Sequence, residues 1–377
     1  MPTALDIASE LVEFDSVSSK SNVPVTEYVE YRLGQLKFDI ERIDYLDEQG
    51  VAKANIIGKL GSGMGGMAYF GHTDVVPALN WKFSEHGPFT PTVREGRLYG
   101  RGSTDMKGSV ACMLSAIFEI AHRPLRAPIY VCCTADEEAG MIGAEHVQQD
   151  SRLFREIVAG DSRSIVGEPT SLEVVHGHKG GCSLRITARG IAAHSSTTKG
   201  INANWKMIPF LAEMKDLYDE LQTDPRWQNN DFDPPTMTLN LGINDSNPAM
   251  NITAAQSVCT VYFRAMPGIN TDPILERIQA AARANDLEFI QSFRATPFYR
   301  DPHSPFVQEC LNFSDRKQSR TVAYGTDAAH FHELKNCVIF GPGSIAQAHT
   351  FDEWIQLDDL ARGTQTYRQM LEHWCVT

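Results

Sequence analysis

Tyr69-Phe70-Gly71-His72-Thr73-Asp74 is the stretch around which the rest of the chain is organised. The apolar run Met67 to Phe70 reads as a buried strand that ends at Gly71. In an extended backbone His72 and Asp74, two residues apart, leave on the same side. An imidazole at a strand end with a carboxylate beside it suits metal binding. One ring nitrogen takes the ion, and an acid or carbonyl on the other fixes the tautomer. The same pair also reads as a satisfied core histidine, so the decision rests on what the remaining chain places beside it.

Working outward, Asp105 in Gly102-Ser103-Thr104-Asp105-Met106-Lys107-Gly108 stands at the mouth of a helical pattern, Ser109 to Ala121. An acid there also suits a plain capping role at a helix N-terminus. Pro128 to Thr134 is a near-continuous apolar run, as expected of a strand buried on both faces. It empties into Asp136-Glu137-Glu138, three successive acids that make most sense beside a cation. The strand Ser164 to Gly167 leads to Glu168, and the strand Cys337 to Phe340 leads through Gly341-Pro342-Gly343-Ser344 to His349. His72, Glu137, Glu138, Glu168 and His349 thus each fall past the C-terminal end of an expected strand, where open α/β sheets bind ligands.

The bounds agree. At 377 residues, two domains are expected. With 42% hydrophobic and 21% charged residues the composition is globular. A formal net charge of −13 disfavours nucleic acid or an anionic membrane as partner. No apolar run approaches the roughly 20 residues of a membrane span, and no secretory signal pattern opens the chain. The eight cysteines form no C-x-x-C pair and lie mostly in apolar runs. They read as reduced core thiols of a cytoplasmic protein. Gly61-Ser62-Gly63-Met64-Gly65-Gly66 matches the dinucleotide fingerprint G-x-G-x-x-G, but a strand follows it instead of the helix that motif requires. These glycines are expected to form a hairpin turn. No G-x-S-x-G elbow supports a serine hydrolase.

Between the two sets of strand ends the pattern changes. A strand Cys182 to Ala188, a helix Asn202 to Leu221, strands Thr236 to Leu241 and Ser257 to Arg264, a helix Thr271 to Ala284 and a strand Leu287 to Phe293 follow in turn. That order is the β-α-β-β-α-β ferredoxin-like unit.

Several blocks together carry a resemblance. Gly71-His72-Thr73-Asp74-Val75-Val76-Pro77, Tyr99 to Gly108, Thr134-Ala135-Asp136-Glu137-Glu138 and Gly167-Glu168-Pro169-Thr170 occur in the order seen in the M20 peptidase family, whose dinuclear-metal amidohydrolases the chain resembles over essentially its whole length. The resemblance implies an α/β fold, a zinc-peptidase-like catalytic domain with a central, mostly parallel sheet and an inserted ferredoxin-like lid and dimerisation domain. The expected boundaries are 1–178 and 296–377 for the catalytic domain and 179–295 for the insert. By position, His72 and Glu168 would ligate one metal, Glu138 and His349 the other, and Asp105 would bridge them. Zinc is the expected metal, with cobalt or manganese as substitutes. Asp74 would orient His72, and Glu137 would be the general base. His194, in Gly190-Ile191-Ala192-Ala193-His194-Ser195-Ser196, would stabilise the oxyanion, typically in the partner subunit of a homodimer; a surface loop histidine is the alternative. Lys179, Asn251, Arg264 and Thr326 match substrate-contact positions. The chain departs from the family there: Thr253 rather than proline follows Asn251-Ile252, and Ala265-Met266 separates Arg264 from Pro267-Gly268.

Further blocks, His178-Lys179-Gly180, Gly200-Ile201-Asn202-Ala203, Gly325-Thr326-Asp327-Ala328 and Gly341 to His349, are similar to the members that hydrolyse N2-acetyl-L-ornithine to ornithine and acetate. A succinyl-diaminopimelate desuccinylase, a dipeptidase or a broader N-acyl-amino-acid deacylase stands as the alternative, and a non-catalytic metal-binding homologue as the alternative of another class.

Overall fold

The computed structural model describes residues 1–377 and divides into two compact units. The first comprises Met1–Gly177, Arg300–Arg320 and Thr326–Thr377; the second comprises His178–Tyr299 and Thr321–Gly325. The return of Thr321–Gly325 to the second unit falls inside the expected 296–377 segment, and no hydrophobic period in those five residues announces it.

The first unit is built on a mixed sheet. Its strands are β1 (Asp39–Leu46), β2 (Ala52–Leu60), β3 (Met67–His72), β4 (Ile129–Thr134), β5 (Arg163–Val166), β6 (Val175–His178) and β7 (Cys337–Ile339). They lie in the order β1-β2-β4-β3-β5-β7-β6. The pairs β4/β3, β3/β5 and β5/β7 are parallel, whereas β1/β2, β2/β4 and β7/β6 are antiparallel. The sheet is therefore parallel only at its centre, not mostly parallel as expected. That centre is where the chemistry gathers. Every residue of β3 and β4 is buried, as their continuous apolar runs require. In register, His72 lies opposite Thr134, and Phe70 opposite Val166. The strands stop together, so the segments that follow them leave at one edge.

The glycine run 61–66 is not a hairpin. Strand β4 lies between β2 and β3, so the run crosses over a strand. Gly66 has φ +73, and a Cβ there would come 2.0 Å from the carbonyl oxygen of Pro128, at the entry to β4. Only glycine fits a backbone that close with that conformation.

The helix Lys107–Ile120 is apolar around most of its circumference and is accordingly buried on nearly all sides, packed between Ala4–Val12 and the C-terminal helix Leu357–Cys375. Its N-cap position is Met106, with no side-chain cap. Asp105 is thus free of the capping role its sequence position also allowed.

In the second unit the strands Leu239–Asn244, Gln256–Phe263, Gly181–Arg189 and Glu288–Ala295 form an antiparallel sheet in that spatial order. With the helices Ala203–Thr223 and Asp272–Ala284 the chain order is β-α-β-β-α-β. Leu184, Ile186 and Ala188 alternate into the core, with Arg185 exposed between them. Both helices contribute to the same core through Met207, Phe210, Met214, Ile274 and Ile278.

His178 opens this unit, fully buried and stacked on Phe298. Its Nδ1 pairs with the carbonyl of Lys179 at 2.9 Å, and its Nε2 has no partner. Burial lowers its pKa to about 4. Because the folded value lies below the unfolded one, the unfolded chain binds the extra proton between about pH 6.5 and 4. Stability from the neutral ring is complete above that window and is lost as pH falls through it. His178→Leu is expected to lose less stability than the parent between pH 7 and pH 4.5, by on the order of 2–3 kcal/mol. Denaturant melts at both pH values test this, and equal losses would contradict it.

Candidate active site

Four segments arrive at the common edge of β3, β4, β5 and β7. His72 ends β3, its ring buried. Its Nδ1 lies 2.9 Å from the main-chain oxygen of Asp74 and 3.7 Å from that residue's carboxylate. The carbonyl therefore holds the proton on Nδ1 and leaves the Nε2 lone pair facing inward. Nε2 lies 3.2 Å from Asp105 Oδ1 and 3.9 Å from Glu168 Oε1.

The Asp74 carboxylate lies beside His72 Nδ1 and also ties down the acidic turn. It accepts the main-chain N–H of Glu137 (3.1 Å) and of Glu138 (3.2 Å), and the hydroxyl of Ser18 (2.7 Å). It thereby fixes the acidic turn after β4 to the end of β3. Asp136, the first of the three acids, turns away. Its Oδ1 is 2.7 Å from the buried Nζ of Lys53, and its Oδ2 accepts from the Tyr45 hydroxyl at 2.8 Å. Asp136 has φ +55, a conformation with a cost of about 1–3 kcal/mol that surrounding bonds must hold in place. Lys53, which escaped sequence reasoning, is the anchor. Its only signal was a lysine, one of two, in the otherwise largely apolar strand β2.

On the far side, His349 also has a left-handed backbone, φ +62. Its Nε2 lies 2.9 Å from Glu138 Oε1 and 3.3 Å from Asp105 Oδ2. Its side chain is about half exposed, unlike that of His72.

The five residues expected as ligands thus come together in two groups, His72, Asp105 and Glu168, and Asp105, Glu138 and His349. Within each group the donor atoms lie within 4.8 Å of one another, and Asp105 belongs to both. Nitrogen and carboxylate oxygen at such spacing fit a divalent cation of the zinc kind. Electrostatics points the same way. Burial and mutual repulsion push the carboxyls of Glu137 and Glu168 well above the usual range. Burial opposes charge on His72, but Asp105, Glu168 and Glu137 outweigh it and raise the imidazole. Hydrogen bonds to Asp105 and Glu138 raise His349 to about 10. So many acids around two rings form a site that positive charge would relieve.

Asp327 belongs to this cluster, although it had no assigned role. It is buried, with Oδ2 accepting from the Thr134 hydroxyl and Oδ1 lacking a partner, and burial raises it to about 7. Neighbouring Thr326 is buried and caps the short helix Asp327–Ala329 through Ala328 N–H. The remaining expected residues lie in the second unit. His194 is exposed, with its Nδ1 2.7 Å from Ser196 Oγ. Asn251 is exposed, and the Arg264 guanidinium stacks 4.9 Å from the Tyr262 ring. Lys179 is fully buried, its Nζ donating to the carbonyls of Pro234 (2.8 Å) and Thr236 (2.9 Å). Two of its three donors are thus spent holding that loop. All eight cysteines are buried free thiols, and no helix is long and apolar enough to cross a membrane.

Paired acid–imidazole groups at the ends of parallel strands define a class of protein, the metal-dependent hydrolases of mixed α/β fold. Residues 68–373 match the model of peptidase family M20/M25/M40, and the chain belongs to that family. It is 31% identical to an acetylornithine deacetylase of Myxococcus xanthus, with 100% of this chain and 98% of the relative covered. The acetylornithine deacetylase of Proteus mirabilis gives the same identity and coverage. Among solved structures, an M20 family metallo-carboxypeptidase from Sulfolobus solfataricus is similar with a TM-score of 0.78, at 16% identity and with 99% of each chain covered. At that identity the likeness speaks for the fold.

Proposed function

We propose that this enzyme hydrolyses the amide bond of an N-acyl amino acid, N2-acetyl-L-ornithine first among them, to ornithine and acetate. The observation that carries the reaction class is the pair of ligand groups sharing Asp105, with the buried Glu137 beside them. Full-length identity of 31% to two acetylornithine deacetylases supports the choice of substrate.

His72 and Glu168 would hold one ion, Glu138 and His349 the other, and Asp105 both. Two ions bound there supply Lewis acidity toward the acyl oxygen and toward water. The protein's own part is proton traffic and alignment. Glu137 accepts a proton as the water oxygen bonds the acyl carbon, then delivers it to the amine nitrogen as the C–N bond breaks. A carboxyl raised by burial suits both halves of that task, because it takes the proton readily and holds it until the amine leaves. Asp74 keeps Glu137 in place through its main-chain N–H.

The second unit would serve as lid and as contact between two copies. Its edge strand Leu239–Asn244 carries Ile243, and its helix Ala203–Thr223 carries Trp205 and Ile208, all exposed. An unpaired edge with apolar neighbours is a surface that natural proteins usually cover. His194 would polarise the acyl oxygen of the substrate held by the other copy. His194→Ala is expected to lower kcat by about 10²–10³-fold, the cost typical of one oxyanion donor, with metal content unchanged. Mixing it with Glu137→Gln should restore activity if the histidine serves the partner, since one site of each hybrid is then intact. Hybrids that form but stay inactive would place its action within one chain; lost metal would remove it from this role.

The substrate assignment is tested by turnover of zinc-loaded protein on N2-acetylornithine, N-succinyl-diaminopimelate, other N-acetyl amino acids and a dipeptide, each with and without chelator. Chelator-sensitive preference for acetylornithine is the expected result. Preference for another member would keep the chemistry and overturn the substrate, and no turnover with metal bound would overturn both.

A further inference from the structure

We infer that Glu353 and Arg101 form a buried clamp that sets the position of Asp105 relative to His349, and so act as positioning residues for metal binding. The inference rests on the two-metal reading above. Both side chains are buried, yet neither belongs to the groups of candidate ligands.

The Glu353 carboxylate takes four donors. Oε2 accepts from Arg101 Nη1 at 2.7 Å and from the main-chain N–H of Gly102 at 2.9 Å. Oε1 accepts from the N–H of Thr104 at 2.9 Å and of Asp105 itself at 3.0 Å. One carboxylate therefore shapes the loop that presents the shared ligand. Arg101 extends the clamp in the other direction, since its Nη2 donates to the carbonyl of Thr350 at 2.9 Å, the residue after His349. The Thr104 hydroxyl closes the same seam on the Trp354 carbonyl at 2.7 Å. A short antiparallel ladder, Tyr99 opposite Trp354 and Leu98 opposite Ile355, runs alongside, and the Arg97 guanidinium lies 4.0 Å from the Trp354 ring.

A buried ion pair is a poor source of net stability, because desolvation offsets the attraction. Its value here is geometric. A planar guanidinium fork can serve Glu353 and Thr350 at once, which a lysine ammonium on a single point cannot reproduce. Glutamine at 353 has one carbonyl oxygen, so either the Arg101/Gly102 pair or the Thr104/Asp105 pair would face an NH2 group and lose its acceptor.

The two variants separate the arms. Metal-free protein would be titrated with Zn2+ against a chromophoric chelator, with folding of each variant checked by circular dichroism. Two binding steps are expected in the parent. Glu353→Gln should weaken both by about 10–100-fold, the usual cost of losing a group that orients a ligand, because Asp105 serves both. Arg101→Lys should weaken one step by a similar factor and spare the other, because an ammonium can keep the charge pair with Glu353 but not reach the Thr350 carbonyl as well, so that the His349 side is loosened. Unchanged affinities in folded Glu353→Gln would overturn the clamp, and equal loss of both steps in Arg101→Lys would overturn its His349 arm. If Glu353→Gln does not fold, Arg101→Lys decides alone. A parent that binds no zinc would instead overturn the metal reading itself.

Discussion

Glu137→Gln is expected to lower kcat by about 10²–10⁴-fold, the contribution typical of a positioned general base, while uptake of two metal equivalents persists. The amide keeps the shape of the side chain and the main-chain N–H that binds Asp74 at 3.1 Å. It cannot accept and return a proton. KM should change little, because the lost interaction forms only as the water is deprotonated. The effect is read from steady-state kinetics on the preferred substrate, with metal content measured on the same sample. A variant within about tenfold of the parent kcat would take Glu137 out of the reaction. A variant without metal would show that the carboxylate serves as a ligand and that the base must be sought elsewhere, Asp327 first.

The second large effect is expected from Asp105→Ala. Asp105 is the one residue common to both groups, within hydrogen-bonding reach of His72 Nε2 (3.2 Å) and within 3.3 Å of His349 Nε2. Its loss should weaken both metal sites by more than about a hundredfold, since even residues that merely orient a ligand are worth 10–100-fold. Turnover should fall below detection at ordinary zinc concentrations. Stability gives an independent readout. At free metal about 100 times Kd, one bound ion stabilises the folded chain by about 2.7 kcal/mol, and a hundredfold weaker site at the same concentration by only about 0.4 kcal/mol. Zinc should therefore raise the melting midpoint of the parent and scarcely move that of Asp105→Ala. An equal zinc shift in both proteins would contradict a shared ligand. The metal-free variant should be less stable than the metal-free parent, because the His72 and His349 rings both lose the carboxylate they pair with, whose charged form those pairings favour.

Much of the site was legible in the sequence because of one rule of fold geometry. In a parallel sheet the strand ends coincide, so a polar residue after each of several apolar runs must converge on the others. His72, Glu138, Glu168 and His349 each followed such a run, and they do converge. The antiparallel flanks of the sheet were not legible. Periodicity marks a strand as buried on one face or two, but not which neighbour it takes. For that reason the glycine run 61–66 read as a hairpin, although β4 lies between the strands it joins.

What the sequence determined by itself is the inventory: which side chains are chemically able to take part, and at which end of which strand they stand. What the tertiary structure alone decided is the division of labour among them. Asp74, Asp136 and Glu353 are all carboxylates, and no local pattern distinguishes them from Glu137 or Glu138. One binds the N–H groups of the acidic turn, one pairs with Lys53, and one gathers the loop before Asp105. The reason is that a buried carboxylate must find donors, and those donors come from segments as much as 252 residues away in the chain. Pairings at that distance depend on where the folded backbone brings each N–H, not on the residues beside it.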